Sequence, residues 1–168
     1  MKYKILFVCM GNICRSPSAQ VIFENLLREV RVEHSCQVDS AGTHDFNIGK
    51  VPDVRAQAVA SKHGLRMDHL RARQVTCDDF YEFDFILAMD QHNLDALTTM
   101  VPNGMQGKIQ LLTRYASGLY RNQPIPDPYY GGSRGFDTLY GILDGACQGL
   151  LKHLGETVLH MHTGRASA

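Results

Sequence analysis

The sequence lacks the features that mark nucleic-acid-binding, membrane-spanning and disulfide-stabilised proteins. Its 168 residues carry 17 Lys and Arg against 17 Asp and Glu, and this formal net charge of zero disfavours a nucleic-acid partner. No stretch approaches the roughly 20 consecutive apolar residues that cross a bilayer, so no membrane partner is expected. The short apolar run near the N-terminus is followed at once by a polar loop, unlike a secretory signal. We therefore expect a cytoplasmic protein.

The cysteines do not form a recognisable framework. They are odd in number and scattered along the chain, as Cys9, Cys14, Cys36, Cys77 and Cys147. This pattern does not fit a secreted disulfide scaffold. No CxxC pair or Cys/His cluster has the spacing of a zinc site, so we expect neither a metal nor another cofactor. The length fits one domain, and a monomer is the default expectation.

Apolar runs alternate with helical patterns along the chain. Residues Lys4–Val8 and Phe85–Met89 are nearly continuously apolar, as in strands that are buried on both faces. Two shorter strands are predicted near Cys36–Asp39 and at Lys108–Leu112, and helices are predicted from Pro17 to Val30, from Asp53 as N-cap to His63, from Gln91 to Val101 and from Gly135 to Leu154. This order predicts an α/β fold with a doubly wound, four-stranded parallel sheet flanked by helices. We expect one domain at residues 1–158, a flexible tail at 159–168, and functional sites beyond the carboxyl ends of the strands.

The segment between the first strand and the first helix has the composition of an anion-binding loop. It reads Cys9-Met10-Gly11-Asn12-Ile13-Cys14-Arg15-Ser16, with a Cys and an Arg six positions apart. Successive backbone N–H groups in such a loop can point inward, and the helix N-terminus adds partial positive charge. Gly11 and Asn12 tolerate the left-handed backbone that a tight loop demands. We predict a phosphate-binding loop here.

Three side chains of this loop predict nucleophilic chemistry on phosphate. A helix N-terminus and a guanidinium both favour the thiolate form of Cys9. Arg15 offers a planar fork for two phosphate oxygens, and Ser16 can hydrogen-bond the sulfur. The alternative, an inert buried cysteine at a strand end, fits Cys9 alone but not this combination. The sequence has no Gly-Lys-Ser/Thr after the loop, which excludes an ATP-binding loop of the Walker type.

Four motifs together resemble the low-molecular-weight protein tyrosine phosphatases. They are VCMGNICRSP, DSAGT at Asp39–Thr43, RARQ at Arg71–Gln74 and DPYYG at Asp127–Gly131, in order and at family spacing over nearly the whole chain. The resemblance implies that Cys9 is the nucleophile, Arg15 the phosphate clamp and Asp127 the general acid and base. Chemistry alone requires an acid for the leaving oxygen but cannot choose Asp127 among the carboxylates, since an aspartate before a proline is also a common turn residue.

The resemblance also assigns supporting roles. Asn12 and Ser40 match residues that hold the loop by hydrogen bonds, although both also suit ordinary turns. The other expected site residues are Met10, Gly11, Asn12, Ile13, Cys14 and Ser16 around the phosphate, and Phe46, Tyr129 and Tyr130 as walls of the substrate cleft. A deep apolar cleft would favour phosphotyrosine over the shorter phosphoserine. The expected partners are phosphotyrosine-containing proteins, with a tyrosine kinase among the candidates.

The chain departs from the family pattern at two positions. The family usually has His three positions before the second Arg of RARQ, where this chain has Leu70 and places His69 one residue earlier. Phe46 stands where relatives often carry Trp, and this changes the shape of the cleft wall. In the family, a cysteine placed like Cys14 can form a reversible disulfide with the nucleophile under peroxide, which leaves a redox role and simple packing both open for Cys14.

Two other functions fit parts of the sequence. An arsenate reductase of the same fold would need a further thiol pair on a mobile segment, and Cys77 has no second cysteine near it before Cys147. A phosphotyrosine-binding module without turnover would use the loop but would not need a general acid. The presence of Cys9, Arg15 and Asp127 together favours the enzyme.

Overall fold

Four strands form one parallel sheet at the centre of the protein. The computed structural model describes residues 2–132 and 134–163, with side chains as far as residue 157. The strands are β1 (Tyr3–Cys9), β2 (Cys36–Gly42), β3 (Phe85–Ala88) and β4 (Ile109–Leu111). All neighbouring pairs are parallel, and the order is β2-β1-β3-β4. The predicted four-stranded parallel sheet is confirmed.

The part of the chain that the structure describes has five α-helices, and they flank the sheet. They are α1 (Arg15–Glu29), α2 (Val54–Lys62), α3 (Cys77–Glu82), α4 (Gln91–Met100) and α5 (Arg134–Thr163). Helix α3 was not predicted, and α5 continues past its predicted end at Leu154. Residues 159–163 of the predicted tail therefore have a helical backbone, and residues 164–168 lie outside the described residues. Among the described helices, none combines the length and apolarity that a bilayer crossing requires.

The two faces of β1 belong to two separate apolar cores. Ile5 and Phe7 face a core built mainly with α1, α2 and α5, while Leu6 and Val8 face a smaller core on the side of α3 and α4. All four side chains are fully buried. A strand that is buried on both faces needs a continuous apolar run, because alternate side chains point to opposite faces. This explains why β1 was readable from the sequence.

The strand order creates a crevice at the carboxyl end of the sheet. The chain leaves β1 through α1 toward β2 on one side, whereas β3 pairs with the other edge of β1, with Val8 opposite Ala88. Ligands of doubly wound sheets bind at such a switch point, beyond the carboxyl ends of the strands. The loop that follows Cys9 and the turn that follows β3 meet there.

Gly42, at the end of β2, allows the backbone to pass close to the loop after β1. A Cβ atom at this position would lie 2.7 Å from the carbonyl oxygen of Met10 and 3.2 Å from Asn12. The N–H of Thr43 donates to the carbonyl of Cys9, and that of His44 to the carbonyl of Met10. The end of β2 is therefore joined to the first two residues of the loop, and glycine is required for the approach.

A second glycine sets how closely α5 approaches the short helical turn at residues 112–115. A Cβ atom at Gly149 would lie 1.8 Å from the backbone oxygen of Tyr115. We expect Gly149→Ala to lower the free energy of unfolding by about 3 kcal/mol, because backbone atoms must shift to admit the methyl group. At Gly145, on the same helix, a Cβ atom would meet no other atom within 4 Å. Gly145→Ala should therefore raise the free energy of unfolding by about 0.5–1 kcal/mol. Equal urea midpoints for the two variants would contradict the close contact.

Candidate active site

The sulfur of Cys9 lies at the centre of the loop between β1 and α1. The backbone N–H of Asn12 donates to Sγ across 3.2 Å, and the hydroxyl oxygen of Ser16 lies 3.0 Å from the sulfur. Cys9 is buried among protein atoms yet forms part of the floor of a surface pocket. Donors placed around a sulfur stabilise its thiolate form and direct it toward an electrophile in the pocket.

Asn12 fastens the loop from below. Its backbone has a φ of 54°, the left-handed conformation expected for this position. Its side-chain N–H groups donate to Ser16 Oγ at 2.8 Å and to Ser40 Oγ at 3.0 Å, while its Oδ1 accepts the backbone N–H of Arg73 at 3.0 Å. Ser40 in turn donates to Gln20 at 2.7 Å. This buried network fixes the loop to β2, to α1 and to the segment containing Arg73.

Arg15 is the largest fully buried side chain of the described residues, with 2% of its surface exposed. One terminal nitrogen donates to Asp90 Oδ2 at 2.5 Å and to the carbonyl of Ile125 at 2.9 Å. The other nitrogen faces Asp127 Oδ2 at 3.4 Å. These partners compensate the buried charge and hold the guanidinium plane at the pocket, which Arg15 lines.

Asp127 lines the pocket together with Cys9 and Arg15. Its Oδ1 accepts the backbone N–H of Tyr129 at 3.0 Å, while its Oδ2 faces Arg15. Arg55 supports this segment by donating to the carbonyl of Tyr129 at 3.0 Å and by packing over the tyrosine ring. Hydrogen bonds from Arg55 hold the pKa of Asp53 below its usual range, so this pair remains charged at neutral pH.

The pocket above the loop is about 220 Å³ in volume and mostly apolar at its walls. Residues 9–11 and 13–15 of the loop form its base, and the Asn12 side chain lies beneath them. The walls are formed by Phe46, Asn47, Asp127, Tyr129 and Tyr130. Asp127 is the single carboxylate among the described lining residues. An anion site at the bottom with aromatic walls above fits an aryl phosphate.

The structure brings the predicted site residues together at this one place. The pocket is lined by Cys9, Met10, Gly11, Ile13, Cys14, Arg15, Phe46, Asp127, Tyr129 and Tyr130. The layer of hydrogen-bonded side chains beneath the loop contains Asn12, Ser16 and Ser40. His69 is exposed, and the bond to Asn12 Oδ1 comes from the Arg73 backbone. The described hydrogen bonds therefore give His69 no part in holding the loop.

Sequence reasoning missed three groups that shape the site. Asp90, the N-cap of α4, binds Arg15, and its place directly after β3 was the signal that could have identified it. Asn47 donates to the carbonyl of Gly11 at 3.2 Å. Arg73 pairs with Asp39 and Asp79, at 2.9 and 3.0 Å, and so fixes the backbone that holds Asn12. The contacts of Asn47 and Arg73 join distant segments, so no local sequence pattern predicts them.

The remaining cysteines lie away from Cys9, with the exception of Cys14. All five cysteines are free; Cys77 is exposed at the start of α3, and Cys147 is fully buried on α5. Burial raises the pKa of the Cys14 thiol, which lies within the loop that begins at Cys9 and is 5% exposed. The positions of Cys77 and Cys147 do not provide the mobile thiol pair that an arsenate reductase requires.

Comparison with known proteins identifies close relatives along almost the whole chain. The family model described as low molecular weight phosphotyrosine protein phosphatase matches residues 4–160. The Gallus gallus protein of that name is 43% identical over 150 residues, covering 88% of this chain and 93% of the relative. The structure of a protein tyrosine phosphatase from Entamoeba histolytica superposes with a TM-score of 0.88 at 35% identity, covering 93% of this chain and 99% of the other. The structure of the Drosophila arginine phosphatase DARP superposes with a TM-score of 0.82 at 38% identity, covering 92% of this chain and 98% of the other.

Proposed function

Because this chain belongs to the low molecular weight phosphotyrosine protein phosphatase family, we propose that it hydrolyses phosphotyrosine through a cysteinyl-phosphate on Cys9. The chain is a protein tyrosine phosphatase, a hydrolase of a family that needs no metal. One observation carries the mechanism: Cys9 Sγ receives the Asn12 N–H and neighbours Ser16 at the base of a pocket that Arg15 and Asp127 also line.

In the first step, the Cys9 thiolate attacks phosphorus from the base of the pocket. A sulfur–phosphorus bond forms while the bond from phosphorus to the phenolic oxygen breaks. Asp127, as the carboxylic acid, gives its proton to the leaving oxygen, so that tyrosine departs neutral. Its place in the lining of the same pocket as the sulfur supports this role.

In the second step, water attacks the phosphorus of the cysteinyl-phosphate. Asp127, now a carboxylate, takes a proton from the water, and the sulfur–phosphorus bond breaks to release inorganic phosphate. Cys9 leaves as a thiolate, and the Ser16 hydroxyl at 3.0 Å can donate to it. Both steps therefore use the same sulfur and the same carboxyl group.

Arg15 and the loop N–H groups stabilise the phosphoryl oxygens in both steps. The guanidinium is already fixed by Asp90 and by the carbonyl of Ile125, so little reorganisation is needed when charge develops. Arg15 retains N–H groups beyond those used by these partners, and they can bind two phosphate oxygens at once.

The apolar and aromatic walls of the pocket support phosphotyrosine as substrate. A tyrosine ring can span the apolar walls and still place its phosphate on the loop, whereas a phosphoserine is too short to use these walls. We expect kcat/KM for a phosphotyrosine peptide to exceed that of the same peptide with phosphoserine by about 10²-fold or more, with EDTA present. Comparable values for the two peptides would contradict the assignment.

Phosphoarginine is the alternative substrate that a relative suggests, since one of the similar structures is that of an arginine phosphatase. The described walls offer a guanidinium group a single carboxylate, Asp127, and otherwise largely apolar surface. We expect slower hydrolysis of a matched phosphoarginine peptide than of the phosphotyrosine peptide. The reverse order would replace phosphotyrosine as the substrate while leaving the cysteine mechanism in place.

The proposal extends to the protein substrates, the cellular location, the oligomeric state and the domain boundary of the enzyme. We propose phosphotyrosine-containing proteins in the cytoplasm as substrates, a tyrosine kinase among them, and a monomeric enzyme whose catalytic domain spans residues 1–158, with 159–168 as a tail. Sedimentation at micromolar concentration tests the monomer, and truncation after residue 158 with retained activity tests the boundary.

Peroxide is expected to inactivate the enzyme reversibly through Cys14. Peroxide oxidises the Cys9 thiolate to a sulfenic acid, and the Cys14 thiol, which shares the loop, then displaces water to form a disulfide. Dithiothreitol should restore most of the activity of the wild type and little of the activity of Cys14→Ser. Cys36→Ser, which removes a thiol outside the pocket lining, serves as control. Loss that dithiothreitol cannot reverse in the wild type would refute this role for Cys14.

A further inference from the structure

Large exposed apolar side chains line the pocket and continue along the segment that follows Asn47. Of the twelve such side chains among the described residues, seven either line the pocket or lie on residues 48–54, the segment that follows the lining residues Phe46 and Asn47. They are Met10, Phe46, Ile48, Val51, Val54, Tyr129 and Tyr130. Four of these line the pocket itself. The other three, Ile48, Val51 and Val54, lie beyond the lining and are named the apolar rim here.

Hydrogen bonds from neighbouring residues join the segment that carries the apolar rim to the phosphate loop and to Ala72. The N–H of Asp53 donates to the carbonyl of Ile13 at 2.8 Å, and the N–H of Gly49 donates to the carbonyl of Ala72 at 2.8 Å. Asn47 adds its bond to Gly11. The segment that carries the rim is thus attached directly to the phosphate loop at both Asn47 and Asp53.

The side chains of the rim expose apolar surface to solvent and do not belong to either apolar core. Ile48, Val51 and Val54 are 59%, 44% and 73% exposed. Exposed apolar side chains grouped beside a binding site often mark contact with a partner. The charges nearby cancel, because Asp53 pairs with Arg55 at 2.8 Å, and Asp45 and Lys50 have opposite signs. The rim therefore has no net charge with which to attract acidic sequences.

We propose that Ile48, Val51 and Val54 bind apolar side chains that flank the phosphotyrosine of a protein substrate, and so select apolar over acidic sequence contexts. The inference rests on the proposed function, because a phosphate seated on the loop fixes where the neighbouring substrate residues must lie. Residues one or two positions away extend only about 3–7 Å along the substrate chain, which keeps them at the pocket mouth. Their side chains then meet the rim.

The test compares three phosphotyrosine peptides that differ only at the two positions on each side of the tyrosine. These positions carry Leu and Val in the apolar peptide, Ser and Gln in the neutral polar peptide, and Glu in the acidic peptide. We expect kcat/KM for the apolar peptide to exceed that of the neutral polar peptide by about tenfold. In Ile48→Ser/Val51→Ser/Val54→Ser, the ratio should fall to about twofold or less, while kcat/KM for p-nitrophenyl phosphate, which does not reach the rim, stays unchanged.

A matched control removes three exposed apolar side chains elsewhere. Val30→Ser/Val32→Ser/Leu119→Ser replaces three exposed side chains that lie outside the pocket and the rim. This variant should keep the wild-type peptide preference. A wild type without preference for the apolar peptide, or a rim variant that retains it, would overturn the proposal. So would a wild-type dimer in sedimentation that the rim variant dissociates, because the rim would then bind a second copy of the chain.

The outcomes separate this inference from the function on which it rests. A folded wild type that hydrolyses neither p-nitrophenyl phosphate nor any peptide overturns both. Turnover of all substrates at similar rates overturns the role of the apolar rim and leaves the phosphatase mechanism intact.

Discussion

Cys9→Ser is expected to lower kcat for p-nitrophenyl phosphate by at least about 10⁴-fold, because the hydroxyl lacks the nucleophilicity of a thiolate. Serine is slightly smaller than cysteine and can keep the contacts with Ser16 and Asn12, so the loop should retain its shape. The variant should therefore still bind inorganic phosphate. The measurement combines steady-state hydrolysis in EDTA with phosphate titration by calorimetry.

Cys77→Ser is the control for this change, because Cys77 is an exposed cysteine at the start of α3. It should retain wild-type activity and the wild-type melting temperature. If Cys9→Ser hydrolysed the substrate at more than a few per cent of the wild-type rate, a mechanism with direct attack of water would replace the covalent one. Rapid quenching of the wild type should also trap phosphate on Cys9, as expected for a cysteinyl-phosphate.

Asp127→Asn is expected to produce the second largest loss, and the loss should depend on the leaving group. Phenol is a poor leaving group that needs a proton, whereas p-nitrophenolate departs readily without one. We expect kcat/KM to fall by about 10³-fold with phenyl phosphate and by no more than about tenfold with p-nitrophenyl phosphate. The dependence of kcat/KM on leaving-group acidity, measured over a series of aryl phosphates, gives the contrast directly.

Asp45→Asn offers a matched control for Asp127→Asn. Asp45 is an exposed carboxylate on the segment that also carries Phe46, but it does not line the pocket. Its replacement removes one negative charge nearby and should leave the leaving-group dependence unchanged. Equal losses for phenyl and p-nitrophenyl phosphate in Asp127→Asn would rule out proton donation by this residue.

The sequence was most informative where structure depends on neighbouring residues. β1 has Ile5 and Phe7 in one core and Leu6 and Val8 in the other, which demands the continuous apolar run that predicted it. Asp53 accepts the N–H of Arg55, as expected for an N-cap. The loop after β1 is likewise a local feature, since its Cys, Arg and Ser stand within eight residues.

Contacts between distant segments could not be predicted from the sequence. Arg15 meets Asp90 across 75 positions only because β3 lies beside β1 in the sheet. Helix α3 has six residues, too few for an apolar period, and is marked by little more than its capping box of Thr76 and Asp79. Asp127 could be chosen only through family resemblance, because its part in the site depends on where the chain returns to the sheet.

The bracing of the phosphate loop by Asn12, Ser16 and Ser40 also has a consequence for the folding equilibrium. These hydrogen bonds lie within the chain itself, so an oxyanion can bind the folded chain without first ordering the loop. An unfolded chain has no such arrangement of donors. By mass action, an anion at one hundred times its dissociation constant then raises the free energy of unfolding by about 2.7 kcal/mol. Phosphate, the product of the reaction, is therefore also a stabiliser of the native state, and the abundance of folded enzyme is linked to the anions that surround it.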